Sequence, residues 1–262
     1  MSSSPPLVLT FAAADPTGGA GLQADLLTIA SLGCHPLSVL TAVTAQDTRG
    51  VDGLLALEPA WITRQAERLL EDLPAAAFKL GVLGSAGNAA AVAAILAAHP
   101  RPPMVLDPVL ASGRGDPLAD GETVQVLRAA LLPRTTVLTP NSLEARALAQ
   151  AAPDAALADC ASALTQLGCR YVLITGTHEA GEQVVNTLYG ASGKLREDAW
   201  PRLPGEYHGS GCTLASAIAA FLARGFGVED AVRKAQAYTW QALKEGFRPG
   251  RGQALPNRLF KR

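Results

Sequence analysis

Short continuous apolar runs recur along the chain, separated by longer stretches in which apolar residues return every three or four positions. The first pattern marks buried strands and the second marks helices. Residues 7–12 (LVLTFA), 37–43, 78–83, 103–106, 136–138 and 171–175 are strands by this criterion. Helices are predicted over 22–32, 61–73, 86–98, 123–132, 143–151, 159–167, 212–224 and 228–245. Gly33 and Gly168 stop two of them, and Pro59 stands just before another. Residues 183–189 and 194–200 form an antiparallel pair around Gly190-Ala191-Ser192-Gly193.

This alternation predicts a three-layer α/β/α fold: a mostly parallel central sheet with helices on both faces and an antiparallel hairpin at its edge. No linker, repeat or low-complexity block interrupts it, so residues 1–262 read as one domain, with 1–6 expected to be flexible. Ligands of such sheets sit beyond the carboxyl ends of the strands. The polar residues that follow each apolar run are therefore the ones that matter.

Composition narrows the partners. Hydrophobic residues make up 48% of the 262 and charged residues 17%, enough for a substantial core. A net charge of -1 and 5% aromatics give no basic face or stacking platform for nucleic acid. The four cysteines (Cys34, Cys160, Cys169 and Cys212) form no C-x-x-C pair and no zinc spacing. The first residues lack the basic and apolar regions of a signal peptide, and no apolar run is long enough to span a membrane. A cytoplasmic protein without membrane or nucleic-acid partners is expected.

Five segments can carry chemistry. Asp15-Pro16-Thr17-Gly18-Gly19-Ala20-Gly21 links the first strand to its helix, and its glycines allow close backbone approach to a ligand. Gly19-x-Gly21-x-x-Ala24 also satisfies a relaxed dinucleotide fingerprint, although several residues separate it from the strand. In Thr41-Ala42-Val43-Thr44-Ala45-Gln46-Asp47-Thr48, Gln46 both donates and accepts, which suits the edge of an aminopyrimidine. Asp107-Pro108-Val109 and Thr139-Pro140-Asn141-Ser142-Leu143-Glu144 place oxygen ligands at the sheet's carboxyl edge. Asp107, Asn141 and Glu144 suit Mg²⁺, while Asn141 and Glu144 equally suit a helix capping box. Finally, Tyr207-His208-Gly209-Ser210-Gly211-Cys212-Thr213 opens a helix. Free N–H groups and the helix dipole there favour phosphate, and a thiol in the first turn is expected below its ordinary pKa of about 8.5. The same glycines also suit a plain tight turn with an inert Cys212. A P-loop, a G-x-S-x-G elbow and H-E-x-x-H are all absent.

Together these segments resemble the ribokinase-like superfamily and, within it, the hydroxymethylpyrimidine/phosphomethylpyrimidine kinases of thiamine biosynthesis. The runs that carry the resemblance are DPTGGAGLQAD from Asp15, TAVTAQDTRG from Thr41, Lys79-Leu80-Gly81-Val82-Leu83, Asp107-Pro108-Val109, Thr139-Pro140-Asn141 with Glu144, and His208 to Thr213. They span nearly the whole chain. The resemblance implies two ATP- and Mg²⁺-dependent phosphorylations, of 4-amino-5-hydroxymethyl-2-methylpyrimidine and then of its monophosphate. It also implies a homodimer and no large β-lid. By position, Gln46, Asp25, Ala13, Val82 and Val109 would meet the pyrimidine, and Asp107 and Glu144 the metal. Gly209, Ser210, Gly211, Asn141 and Thr175 would meet phosphates, with Cys212 as the base.

This chain departs from the family pattern at Ala12-Ala13-Ala14, where Ala-Gly-Ser is usual, and at Thr175-Gly176-Thr177-His178, where Lys-Gly-Gly-His is usual. Arg114 is unusual in the lid segment and is a candidate phosphate contact. Three other functions compete: a pyridoxal kinase of the same subfamily, a non-catalytic pyrimidine-binding paralogue, and a dinucleotide-dependent oxidoreductase. No second cysteine lies between Asp107 and Asp116, which favours the pyrimidine over pyridoxal. The intact G-S-G-C and N-x-x-E argue for catalysis.

Overall fold

A computed structural model describes residues 4–260 of the chain. The first residues of the segment expected to be flexible, 1–3, lie outside the described residues. Just after them, the Pro6 carbonyl accepts a hydrogen bond from the His35 N–H.

The chain runs β1 (Leu7–Ala14), α1 (Gly21–Ser31), β2 (His35–Gln46), β3 (Val51–Ala56), α2 (Pro59–Leu70), β4 (Ala77–Leu80), α3 (Ala86–Ala98), β5 (Met104–Leu106) and α4 (Gly121–Val126). It continues with β6 (Val137–Leu138), α5 (Ser142–Ala149), α6 (Leu157–Gln166), β7 (Tyr171–Ile174), β8 (Gln183–Gly190), β9 (Gly193–Pro201), α7 (Ser210–Ala223) and α8 (Val228–Lys244). Among the described residues nine strands join one sheet, in the order β3-β2-β1-β4-β5-β6-β7-β8-β9. The six strands β2-β1-β4-β5-β6-β7 run parallel to one another. The hairpin strands β8 and β9 are antiparallel, as expected.

The opposite edge is antiparallel too. β3 pairs with β2 through registers such as Val43 with Leu55. Its sequence, VDGLLA, holds a charge and a glycine and is half exposed, so it lacks the continuous apolar run of a buried strand. The segment 123–132, expected as one helix, is α4 followed by a π-turn over Leu127–Leu131.

The parallel strands are buried on both faces. In β1, Leu9 and Phe11 enter one apolar cluster with α2, α3, α5 and α6, whereas Val8 enters another with α1, α7 and α8. Among the described residues no helix is long and apolar enough to cross a membrane. After β1 the chain steps outward to β2, then returns to β4 on the other side of β1. Strand order therefore reverses between β1 and β4, and a crevice opens at their carboxyl ends.

Candidate active site

The crevice is a continuous cleft of ≈ 580 Å³ along the carboxyl edge of the sheet. Ala13 and Gln46, at the carboxyl ends of β1 and β2, and Val82, just after β4, bound one end. Val184, Trp200 and Trp240, from β8, β9 and α8, bound the other. Asp107, Val109, Asn141, Glu144, Thr175 and the run from Gly209 to Cys212 lie between them. The loop after Asp107 is short, closed by an Ala111–Pro117 bridge, and its Asp116 carboxylate accepts from the Val51 N–H of β3 at 3.3 Å. Ser112 and Gly113 of this loop line the cleft. The Arg114 side chain is exposed outside the lining, so it is not placed as a phosphate contact.

Asp15 organises the first glycine loop. Its carboxylate accepts from the N–H of Thr17 (2.8 Å) and of Ala20 (2.7 Å) and from the Thr17 hydroxyl (3.0 Å). His208 Nε2 lies 2.8 Å from the same carboxylate. Burial pushes the Asp15 carboxyl up, but hydrogen bonds from His208, Gln46 and Thr17 outweigh it and hold the group well below the usual carboxylate range. The loop thus stays anionic at its root and is tied to the segment that opens α7.

That segment closes tightly on the loop. Gly209 has φ +84°, and a Cβ there would collide with the Gly19 carbonyl, so only glycine fits. The Thr213 hydroxyl donates to the Gly209 carbonyl at 2.8 Å, drawing it back into the helix. The first N–H groups of α7 are left facing the cleft, where an anion would satisfy them.

Cys212 stands in this first turn, 8% exposed. The expectation of a lowered thiol pKa is overturned. Burial pushes the thiol up to about 12; Lys79 and the Gly21 N–H pull it down, and Asp107 and Asp25 push it further up. Desolvation exceeds the helix-terminus effect because this turn faces buried carboxylates rather than water.

Of these Asp107 lines the cleft, and so does a second buried carboxylate, Glu144. Burial raises Asp107 to about 6, with Asp25 adding to the rise and Lys79 and Cys212 opposing it. Burial also raises Glu144 to about 7, with Asp107 adding to the rise. Asp107 Oδ2 is buried without a hydrogen-bond partner. Glu144 completes a capping box: its carboxylate accepts from the Asn141 N–H at 3.0 Å, and Asn141 Oδ1 accepts from the Glu144 N–H at 2.9 Å. The capping reading is thus correct, and it leaves both residues on the cleft wall. A buried, unsatisfied carboxylate oxygen beside a second carboxylate suits a hard cation. Mg²⁺ takes one or two carboxylates and completes its shell with water and phosphate.

Asp25 is a correction. Its side chain is wholly buried and does not line the cleft. It accepts from Thr10 (2.6 Å), Ser216 (2.7 Å) and Lys79 (2.9 Å), so it cannot meet a substrate. Its Lys79 partner lies beneath Gly81, where a Cβ would sit 2.8 Å from Nζ. Among the wall residues that the sequence did not single out are His208, within a recognised motif, Trp200 and Trp240 at the far end, and Gln253 in the C-terminal segment.

The chain matches the family described as phosphomethylpyrimidine kinase over residues 15–257. It is 43% identical over 255 residues to a hydroxymethylpyrimidine/phosphomethylpyrimidine kinase of Streptomyces coelicolor, covering 95% of this chain and 93% of that one. Its fold is similar to that of pyridoxal kinase from Staphylococcus aureus, solved with AMP-PCP and pyridoxal. The TM-score is 0.88 at 26% identity, over 98% of this chain and 94% of that one. It is also similar to a phosphomethylpyrimidine kinase from Clostridium difficile, with a TM-score of 0.78 and 33% identity over 89% and 97% of the two chains.

Proposed function

Because the chain belongs to the phosphomethylpyrimidine kinase family, we propose that it phosphorylates hydroxymethylpyrimidine and then its monophosphate for thiamine biosynthesis, with ATP as donor. The observation that carries this reading is the convergence, in one cleft, of Gln46, the Asp107–Glu144 pair and the helix start at Gly209–Cys212. An amide for a heterocycle edge, hard ligands and an anion site are what phosphoryl transfer to an aminopyrimidine alcohol requires.

In this reading Gln46 hydrogen-bonds the pyrimidine, and Ala13, Val82 and Val109 pack on its ring. The methyl group of Ala13 narrows the ring pocket relative to the usual glycine. The N–H groups of Ser210, Gly211 and Cys212 take the transferred phosphoryl oxygens, and Asn141 and Thr175 the neighbouring phosphates. The apolar end at Val184, Trp200 and Trp240 takes the nucleotide base. Asp107 and Glu144 would hold Mg²⁺, which when bound neutralises phosphate charge.

Cys212 rests as the thiol, because burial outweighs the pull of Lys79 and the Gly21 backbone, and it accepts the proton of the substrate hydroxyl only as the thiolate, after its own proton has passed to solvent. Such a thiolate is a strong base once formed. In a loose transition state it is needed only late, because positioning and charge neutralisation supply most of the rate. Assembly as a homodimer belongs to this proposal. The exposed cross-strand pair Val43–Leu55 at the β2–β3 edge offers apolar surface for it.

Coupled ADP release with hydroxymethylpyrimidine, its monophosphate and pyridoxal as separate acceptors tests the reading. ADP is expected with the first two. Binding of the pyrimidine without ADP release would identify a non-catalytic paralogue. Turnover with pyridoxal alone would establish the second reading, pyridoxal being the ligand of the Staphylococcus aureus enzyme of similar fold.

A further inference from the structure

Arg258 lies near the end of the chain, outside the cleft lining, and is only 4% exposed. A buried guanidinium must satisfy its donors internally. Here they go to a hydroxyl and two carbonyls. Nε donates to Thr213 Oγ1 at 3.1 Å, Nη1 to the Gly18 carbonyl at 3.3 Å, and Nη2 to the Gly19 carbonyl. Thr213 passes the connection on by donating to the Gly209 carbonyl at 2.8 Å. One planar group therefore holds the first glycine loop on one side and the first turn of α7 on the other.

Those two segments are the walls that must stay in register. The Gly209 backbone packs on the Gly19 carbonyl with no room for a side chain. His208 Nε2 lies 2.8 Å from the Asp15 carboxylate. None of these contacts fixes the distance between the walls by itself, because glycine loops are soft. The guanidinium fork does, since its donors are rigidly disposed in one plane. It anchors the Gly18 and Gly19 carbonyls on the side of the loop where Arg258 lies. The Gly209 carbonyl accepts from both the N–H (3.0 Å) and the hydroxyl (2.8 Å) of Thr213, and Arg258 holds that hydroxyl from the other side.

We propose that Arg258 is a positioning residue for phosphoryl transfer: a strut that sets the Gly18–Gly21 loop against the Gly209–Cys212 turn and so fixes the anion site and Cys212 relative to that loop. The transfer role rests on the kinase reading above. The placement of Cys212 does not.

Arg258→Met, Arg258→Lys and Thr213→Val test it with two readouts: steady-state kcat with hydroxymethylpyrimidine, and the rate at which iodoacetamide alkylates Cys212, followed by peptide mapping. Misplacement by about 1 Å lowers rates roughly 10²-fold. Arg258→Met should therefore lose about 10- to 100-fold in kcat, with the calorimetric Kd for the pyrimidine within about threefold. Lysine keeps the charge but not the fork, and should recover only a small part of the loss. In both arginine variants the alkylation rate of Cys212 should change by at least about fivefold, as expected for a displaced thiol. A cooperatively folded Arg258→Met enzyme with wild-type kcat and an unchanged alkylation rate overturns the proposal. So does a loss of pyrimidine affinity in proportion to kcat, which would indicate general loosening. Where Arg258→Met does not fold, the nearly isosteric Thr213→Val decides: an unchanged kcat and alkylation rate overturn the strut. A wild-type enzyme that releases no ADP refutes the kinase reading instead, and Cys212 alkylation alone then decides the placement of the turn.

Discussion

The ammonium of Lys79 lies 2.9 Å from the carboxylate of Asp25, and both side chains are sealed from solvent. The pair sits beneath Gly81 and next to α7, whose Ser216 hydroxyl donates to the same carboxylate. Asp25 holds Lys79 above its ordinary pKa even though burial opposes this, so the ammonium remains charged. Breaking such a pair leaves an uncompensated buried charge, which costs about 3–5 kcal/mol. Asp25→Asn or Lys79→Met should lose that much in denaturant unfolding. Replacing the whole cluster with apolar residues (Asp25→Leu, Lys79→Met, Thr10→Val, Ser216→Ala) should recover most of it. If the single variants unfold at the wild-type midpoint, the pair has no structural role.

Cys212→Ala should lower kcat by about 10²–10⁴-fold, the usual range for loss of a proton-accepting group, with little change in pyrimidine Kd. The thiol is buried and faces charged neighbours rather than the far ends of the cleft, so its removal should not disturb binding. Unchanged turnover in this variant would remove Cys212 from the chemistry and leave it as a packing residue.

The parallel sheet was legible because its buried strands are mostly short apolar runs, interrupted by few polar residues such as Thr10 and Lys79, and so was the β8–β9 hairpin because of its glycine turn. Strand β3 was not. Its Asp52 and Gly53 are tolerated because it sits at an edge, and pairing with β2 makes it a strand. In the site, loops were legible and partnerships were not. Asp25 stands in a substrate-loop motif, yet its partners Lys79 and Ser216 lie 54 and 191 residues away. The His208–Asp15 contact spans 193 residues and joins two motifs that each read as separate glycine turns. Arg258 left no sign at all, because a lone arginine near a terminus has no periodicity. The wrong expectation for Cys212 has the same root: a helix start is visible in sequence, whereas the buried carboxylates facing it are not.

Gln46→Ala should raise the pyrimidine KM by at least about tenfold, since a buried hydrogen bond is lost and a heterocycle edge is left unpaired. kcat should change much less, because the amide lies at the β1–β2–β4 end of the cleft while the phosphoryl is bound at α7. Isothermal titration with the pyrimidine alone checks this without turnover. An unaltered Kd takes Gln46 out of the pocket.

Asp107 and Glu144 link function to a stability penalty with a definite pH dependence. Both carboxyl groups have folded-state pKa values raised by burial, to about 6 and about 7. A raised pKa means that the folded state binds protons the unfolded chain has already released. The ligand-free protein should therefore be most stable with respect to these groups near pH 4, and should lose that contribution as the pH rises to about 7. Asp107→Asn removes one of the two charges while keeping the shape. It should raise the thermal midpoint at pH 8, where the native carboxylate is ionised and buried, and should give little gain at pH 5, where most of the native group is protonated. The same variant should bind Mg²⁺ more weakly and turn over slowly, because the buried oxygen without a hydrogen-bond partner is the one suited to a hard cation. In the wild type, Mg²⁺ should reverse the loss of stability above pH 7, since a bound cation offsets the repulsion between the two carboxylates. Melting curves at pH 5 and pH 8, with and without Mg²⁺, test every step. A variant less stable than wild type at pH 8, or a Mg²⁺ effect equal at both pH values, would show that the carboxylates are held by partners rather than kept poised for a metal.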